Sequence, residues 1–212
     1  MSEEQKRALI KKLIEEGYIT RKDVAEAMLK VPRELFVPEE LRAHAYEDRP
    51  LPIGMGQTIS APHMVAYMIE AAELKRGDKV LEVGTGSGYH AAVMAEVVGP
   101  EGHVYTIERI PELAEKAKER LEALGYRNVT VLVGDGSKGY PPAAPYDKII
   151  VTAAAKRVPE ALLEQLKVGG VLVIPVEEAP GYQVLYKIVR TPEGFQVKKL
   201  LPVAFVPLIE EE

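Results

Sequence analysis

The chain of 212 residues has no cysteine and no tryptophan, and Asn128 is its single asparagine. The first absence removes disulfides, thiolate metal sites and cysteine nucleophiles together, so any chemistry has to come from oxygen and nitrogen side chains. No apolar run approaches the roughly eighteen residues that a membrane span needs. The opening SEEQKRALIKK has none of the apolar core of a secretory signal, so the expected location is the cytoplasm. Basic residues are outnumbered, 27 Lys and Arg against 32 Asp and Glu. The resulting formal net charge of −5 argues against nucleic acid as the main partner, because phosphate binding rests on Lys and Arg. Scarce asparagine beside 28% charged residues fits a heat-adapted source. With 47% hydrophobic residues, what remains is an ordinary globular composition and, by length, one domain.

Residues 3 to 16 place Leu9, Ile10, Leu13 and Ile14 on one helical face, with Gly17 as a stop. Thr20 with Asp23 has the spacing of a capping box for a second helix, which carries Val24, Ala27, Met28 and Val31 and is ended by Pro32. Two such helices are either a DNA-reading pair or the cap of a larger core, and the acidic balance favours the cap. From residue 79 the pattern changes. KVLEV (79–83), HVYTI (103–107), VTVLV (129–133), KIIVT (148–152) and VLVIP (171–175) are short β-rich runs separated by helical segments or loops. That alternation predicts a parallel sheet covered on both faces. One such helix spans 110–125, with Pro111 in its first turn, a buried stripe of Leu113, Ala117, Leu121 and Leu124, a solvated face with pairs such as Glu112 and Lys116, and Gly125 as the cap. YQVLYKIVRT and FQVKKLLPVAFV, flanking TPEG (191–194), predict an antiparallel hairpin at the sheet edge.

Three features converge on a ligand. VLEVGTGSGY puts Gly84, Gly86 and Gly88 after a strand and at the mouth of a helix, where the backbone can turn sharply and offer free N–H donors. Tyr89 stands where a dinucleotide fingerprint has its last glycine, which disfavours NAD, and no Lys-Ser/Thr follows to make a Walker loop. Glu108 ends the next strand, where a carboxylate can accept both hydroxyls of a ribose; its bland alternative is an ion pair with Arg109. Asp135, in GDG after VTVLV, ends a third strand and can accept an amino proton from a purine, or be an ordinary Asp-Gly turn. Three ligand-type features on three consecutive strand ends point to a purine nucleoside, and without a phosphate-binding lysine S-adenosylmethionine fits best.

GMGQTISAPH (54–63) lies just ahead of this pattern, has no hydrophobic period and is dense in small and hydroxyl residues. Taken by itself, Ser60 reads as the N-cap of a helix over 62–73, and His63 as part of its first turn.

EVGTGSGYHAA, VYTIER, GDGSKGYPPAAPYDKIIVTAAA and LKVGGVLVIPV resemble the successive motifs of the protein-L-isoaspartate (D-aspartate) O-methyltransferases, and VPRELFVPEE and GQTISAPHMVAYMIE resemble segments particular to that family. The resemblance runs to the terminal PVAFVPL. It implies a Rossmann-like class I S-adenosylmethionine-dependent methyltransferase of the α/β class: a seven-stranded, mostly parallel sheet with helices on both faces, N-terminal helices over the site and an unusual order of the last two strands. The expected division of the single domain is 1–73 as helical cap and substrate loop, 74–176 as cofactor-binding core and 177–212 as C-terminal hairpin. The implied substrates are proteins and peptides with L-isoaspartyl residues, with D-aspartyl residues as a further candidate, and the implied outcome is repair begun through a succinimide. Carried over by motif, Gly84, Thr85 and Gly86 would line the methionine portion, Glu108 the ribose, and Asp135 with Gly136 the adenine. Ser60 matches the family's active-site hydroxyl, Thr58, Ile59 and His63 would border the substrate groove, and PVAFVPL would form the opposite wall. A carboxylate is already an anion at neutral pH and needs no general base. Consistent with that demand, Ala153, Ala154 and Ala155 follow KIIVT, and no metal is expected. A methyltransferase acting on a small molecule or RNA would keep the same cofactor site. The expected form is a monomer.

Overall fold

The computed structural model describes residues 2–211. Helices α1 (Ser2–Glu15) and α2 (Lys22–Lys30) open the chain. Leu9, Ile10 and Leu13 are buried as expected, whereas Ile14 is 49% exposed. The buried stripe of α1 is completed instead by Lys6, whose amino group donates to the Leu29 carbonyl at 2.9 Å and to Glu3 at 3.0 Å. The capping box at Thr20 is also corrected. Arg21 is the N-cap of α2 and makes no side-chain cap bond. Both the hydroxyl and the N–H of Thr20 donate to Glu70, while Asp23 is taken by the Arg21 guanidinium.

A short hairpin of β1 (Leu51–Gly54) and β2 (Gln57–Ile59) leads into α3 (Pro62–Ala71). Then β3 (Lys79–Val83), α4 (Tyr89–Val98), β4 (His103–Glu108), α5 (Pro111–Ala123), β5 (Val129–Val133), β6 (Tyr146–Val151), α6 (Glu160–Glu164) and β7 (Leu166–Ala179) alternate as the β-rich runs predict. The C-terminal hairpin is β8 (Tyr182–Thr191) and β9 (Gly194–Val203). Seven strands form one sheet in the order β5-β4-β3-β6-β7-β8-β9, with β3 to β7 parallel and β8 and β9 each antiparallel to the preceding strand. The order reverses between β3 and β6, and an open α/β sheet forms its ligand crevice at the carboxyl ends of the strands at such a point.

Alternation along the strands divides the core. Val80, Val104, Ile150 and Val173 face a layer built from α1 to α4, and Leu81, Val83, Ile149 and Leu172 face the other side with Leu162 of α6. Glu82 falls between Leu81 and Val83, in register with Thr106 of β4 and Ile150 of β6. Helix α5 ends as its sequence announces. The Tyr126 N–H donates to Leu121 O and the Gly125 N–H to Glu122 O, each at 3.0 Å, which is a Schellman closure. Leu124 is only half-buried, and Glu112 and Lys116 form no ion pair among the described residues. Strand β9 stops at Val203, three residues short of the expected run, because the chain then leaves the sheet edge. Ala154 N–H donates to Val206 O and Leu208 N–H to Ala154 O, both at 2.7 Å, drawing the C-terminal segment across the strand ends. Among the described residues, no helix is long and apolar enough to cross a membrane.

Candidate active site

A cavity of about 540 Å³ opens at the carboxyl ends of β3 and β4. Thr58, Ile59, Ser60 and His63 form one side; Gly84, Thr85, Gly86 and Glu108 form another; Gly136 and the segment from Pro202 to Ile209 complete it. No residue of α1 or α2 lines it. Of the N-terminal helices it is α3 that reaches the site, through His63, Met64 and Val65, together with β2 and the C-terminal segment; α2 packs on α4, and α1 on α2.

The glycine turn is built for close approach. Gly84 has φ +101°, and an added Cβ would lie 2.6 Å from Thr152 Oγ1. That hydroxyl donates to the Gly84 carbonyl at 2.7 Å and pins the turn to the end of β6. Glu108, 6% exposed, accepts the Gly86 N–H on one oxygen and the Ile110 N–H on the other, both at 2.9 Å, and makes no ion pair with Arg109 among the described residues. Each oxygen keeps acceptor capacity for a further donor.

Three buried polar groups that sequence reasoning missed lie beneath the turn. Thr106 donates to Glu82 Oε1 at 2.6 Å, and Thr85 and Thr106 share a hydrogen bond of 2.6 Å. Among the described residues, Glu82 Oε2 and both ring nitrogens of His90 have no hydrogen-bond partner, although Oε2 is 3.8 Å from His90 Nδ1. Burial raises the Glu82 carboxyl to about 8 and lowers the His90 imidazole to about 4. Both residues line the cavity. For Glu82 the signal available in the sequence was an acid flanked by Leu81 and Val83 within a strand-like run.

These shifts set a pH dependence. The raised Glu82 contributes stability that is complete below its unfolded value of 4.5 and is lost as pH rises through about 8. The lowered His90 contributes stability that is present above 6.5 and lost as pH falls through about 4. Between pH 4.5 and 6.5 the two slopes oppose, and above 6.5 only that of Glu82 remains. From pH 6.5 to 8.5 the ligand-free protein is therefore expected to lose about 2 kcal/mol, which is roughly 4 to 8 °C in Tm for a domain of this size. Glu82→Gln should abolish that slope; calorimetry showing the same slope in the variant would refute the assignment.

Ser60 does not cap α3. The N-cap is Ala61, with no side-chain cap bond and Pro62 at the first helical position. The cap comes from Asp48, fifteen residues before His63, which accepts the His63 backbone N–H at 2.9 Å and His63 Nδ1–H at 2.8 Å on the same oxygen. With Nδ1 so engaged, Nε2 is the free ring nitrogen. The Ser60 hydroxyl has no hydrogen-bond partner among the described residues, and the Ser60 carbonyl accepts from Arg33 Nη2 at 3.0 Å. Asp135 is not brought to the cavity wall. One of its oxygens accepts the Ser137 N–H and O–H, and the other accepts the Glu211 N–H at 2.8 Å.

The model of the protein-L-isoaspartate (D-aspartate) O-methyltransferase family matches residues 4–212. The chain belongs to that family. A protein-L-isoaspartate O-methyltransferase of Ignicoccus hospitalis is 87% identical, over 99% of this chain and all of the relative. One from Hyperthermus butylicus is 61% identical, over 98% of this chain and 90% of its own length. A solved putative protein-L-isoaspartate O-methyltransferase of Plasmodium falciparum, in complex with S-adenosyl-L-homocysteine, superimposes with TM-score 0.85 at 30% identity, over 97% of this chain and 99% of that one. Another solved protein-L-isoaspartate O-methyltransferase gives TM-score 0.88 at 34% identity, over 95% of this chain and 65% of that one. The activity that goes with membership is S-adenosylmethionine-dependent methylation of isoaspartyl residues.

Proposed function

We propose that the Ser60 segment presents the free α-carboxylate of an isoaspartyl residue to the cofactor, and that no proton acceptor takes part. What carries this reading is the arrangement of the cavity: Ser60, with its hydroxyl uncommitted, and the Gly84 to Gly86 turn are walls of the same space. Ala153, not an acid or a base, lines it at the end of β6.

The polar groups present suit S-adenosylmethionine. Glu82 Oε2, buried and without a partner, offers an acceptor to an ammonium group, Glu108 retains acceptor capacity for a ribose diol, and the Gly84 turn admits a ligand against its backbone. When bound, the cofactor supplies an electrophilic methyl group on a sulfonium. The residues of the chain then position the carboxylate: Thr58 and Ser60 as hydrogen-bonding side chains, Ile59 as apolar wall and His63 through its free Nε2. These residues would hold one carboxylate oxygen toward that methyl group, and the oxygen, already an anion, would need no base from the chain. No proton changes place. Alignment of this kind, in a site shielded from water, contributes several kcal/mol of barrier lowering. Gly136 borders the adenine, and Asp135 can accept from its amino group once the Glu211 N–H releases it. The ester carbonyl is open to attack by the neighbouring backbone nitrogen, which gives up its proton as methanol is expelled; the succinimide so formed takes up water and part of it becomes normal aspartate.

The same proposal has the chain acting as a cytoplasmic monomer from a heat-adapted source, with residues 1–73, 74–176 and 177–212 as cap with substrate loop, cofactor core and hairpin. Incubation with labelled S-adenosylmethionine and paired peptides, one isoaspartyl and one aspartyl, tests the substrate. Label in the isoaspartyl peptide alone is expected, and equal or absent labelling would reject it in favour of a small-molecule or RNA substrate.

A further inference from the structure

Arg33, in a short 3-10 turn over Arg33–Phe36, is completely buried. Its guanidinium has no acid as a hydrogen-bond partner. Nε donates to the Ala45 carbonyl at 2.7 Å, Nη2 donates to the Ser60 carbonyl at 3.0 Å, and Nη1 has no partner among the described residues. The group lies 4.8 Å from the centre of the Tyr89 ring. Burial lowers its pKa, yet a guanidinium remains protonated in a protein. Tyr89, Tyr46 and the Asp48 carboxylate favour its charged form from nearby without an ion pair to it among the described residues, and a buried charge so weakly paired is costly unless something further offsets it. Ser60 and Tyr89 both line the cavity, so this charge sits one residue behind the wall.

The peptide joining Ser60 to Ala61 carries the consequence. It is planar and trans, so its N–H is directed opposite to its C=O. With the Ser60 carbonyl held by Arg33, the Ala61 N–H faces away from the guanidinium. Ala61 is 6% exposed and lines the cavity, and its N–H has no hydrogen-bond partner among the described residues. A buried N–H without a partner is rare and expects one.

We infer that Arg33 is a positioning residue that sets up a carboxylate-binding pair, the Ala61 N–H and the Ser60 hydroxyl, and supplies from behind the positive charge that selects an anionic over a neutral substrate group. This deepens, and rests on, the assignment of the Ser60 segment to the substrate carboxylate. The arrangement meets two demands at once. A lysine or arginine inside the cavity would bind the nucleophilic oxygen directly and stabilise its ground state. A charge one layer back contributes attraction without taking the lone pair that attacks, and its clamp on the Ser60 and Ala45 carbonyls keeps the two donors in place.

The test measures anion selectivity. Binding of two peptides is titrated in the presence of saturating S-adenosylhomocysteine, one with an isoaspartyl residue and one with isoasparagine, its uncharged counterpart of the same shape. The unaltered protein is expected to prefer the acid by about tenfold or more. Arg33→Met should cut that preference below about threefold while affinity for the amide peptide and for S-adenosylhomocysteine stays within about twofold. Full preference in the variant, or equal loss of both peptides, would overturn the inference, since a purely structural arginine acts on both alike. If Arg33→Met does not fold, Arg33→Lys decides. Its ammonium keeps the charge but lacks the planar fork, so preference is expected to persist while kcat/KM falls about tenfold; unchanged kcat/KM overturns the inference. Failure of the underlying reading looks different: the unaltered protein would then neither prefer the acid nor methylate the isoaspartyl peptide.

Discussion

Ser60→Ala is expected to lower kcat by about a hundredfold, the loss typical of removing one preorganised donor from a reacting oxygen, while affinity for S-adenosylhomocysteine changes less than about twofold. Thermal stability should hold within about 2 °C, because the residue carries no cap or core contact whose loss would be large. The structural reason is specific. A serine two residues before a helix invites the capping role, and its loss would then cost about 1 kcal/mol. Here that role is carried by Asp48, which takes the His63 N–H, while Ser60 contributes only its carbonyl to the Arg33 clamp. Alanine keeps that carbonyl. Turnover and stability are thus separable at this position, and paired kinetics and calorimetry check it: a variant with normal kcat and lowered Tm would return Ser60 to a structural role and remove the hydroxyl from the mechanism.

The contrast between Ser60 and Asp48 also marks how far the sequence can be read. Strands β3, β4, β5 and β6 were legible because each is a short β-branched run bounded by turn residues, and α5 because Pro111 and Gly125 mark its two ends. Nine of the ten expected site residues gather around the cavity for a related reason: they sit at strand ends or in one loop, where position follows from topology. What local pattern misses is competition from a distance. Thr20 has a capping partner three residues on, but Glu70, fifty residues away, takes its hydroxyl and its N–H. Asp135, the tenth, is held by Ser137 and by Glu211 of the C-terminal segment rather than facing the cavity. Arg33, inside VPRELFVPEE, looks like one more surface charge until the fold closes over it. Glu82 was hidden the opposite way, by apolar neighbours that made its strand easy to see and its charge easy to pass over.

Gly84→Ala is expected to weaken cofactor binding by a hundredfold or more. Two costs act together. The residue occupies φ +101°, where a Cβ is strained by about 1 to 2 kcal/mol, and the added carbon would meet Thr152 Oγ1 at 2.6 Å. That oxygen cannot simply rotate away, since it donates to the Gly84 carbonyl and thereby holds the turn in place. The turn must move instead, and with it the Gly86 N–H that positions Glu108. A control separates strain from displacement. Gly125 is also left-handed, at φ +83°, with nothing within 4 Å of an added Cβ. Gly125→Ala should therefore cost about 1 kcal/mol of stability and leave cofactor affinity unchanged. A third variant, Gly84→Ala combined with Thr152→Ala, removes the collision while keeping the strain, and should recover part of the lost affinity when titrated with S-adenosylhomocysteine. Equal affinity losses at Gly84 and Gly125, or no recovery in the double variant, would mean that the close approach of β6 to the turn does not govern cofactor binding.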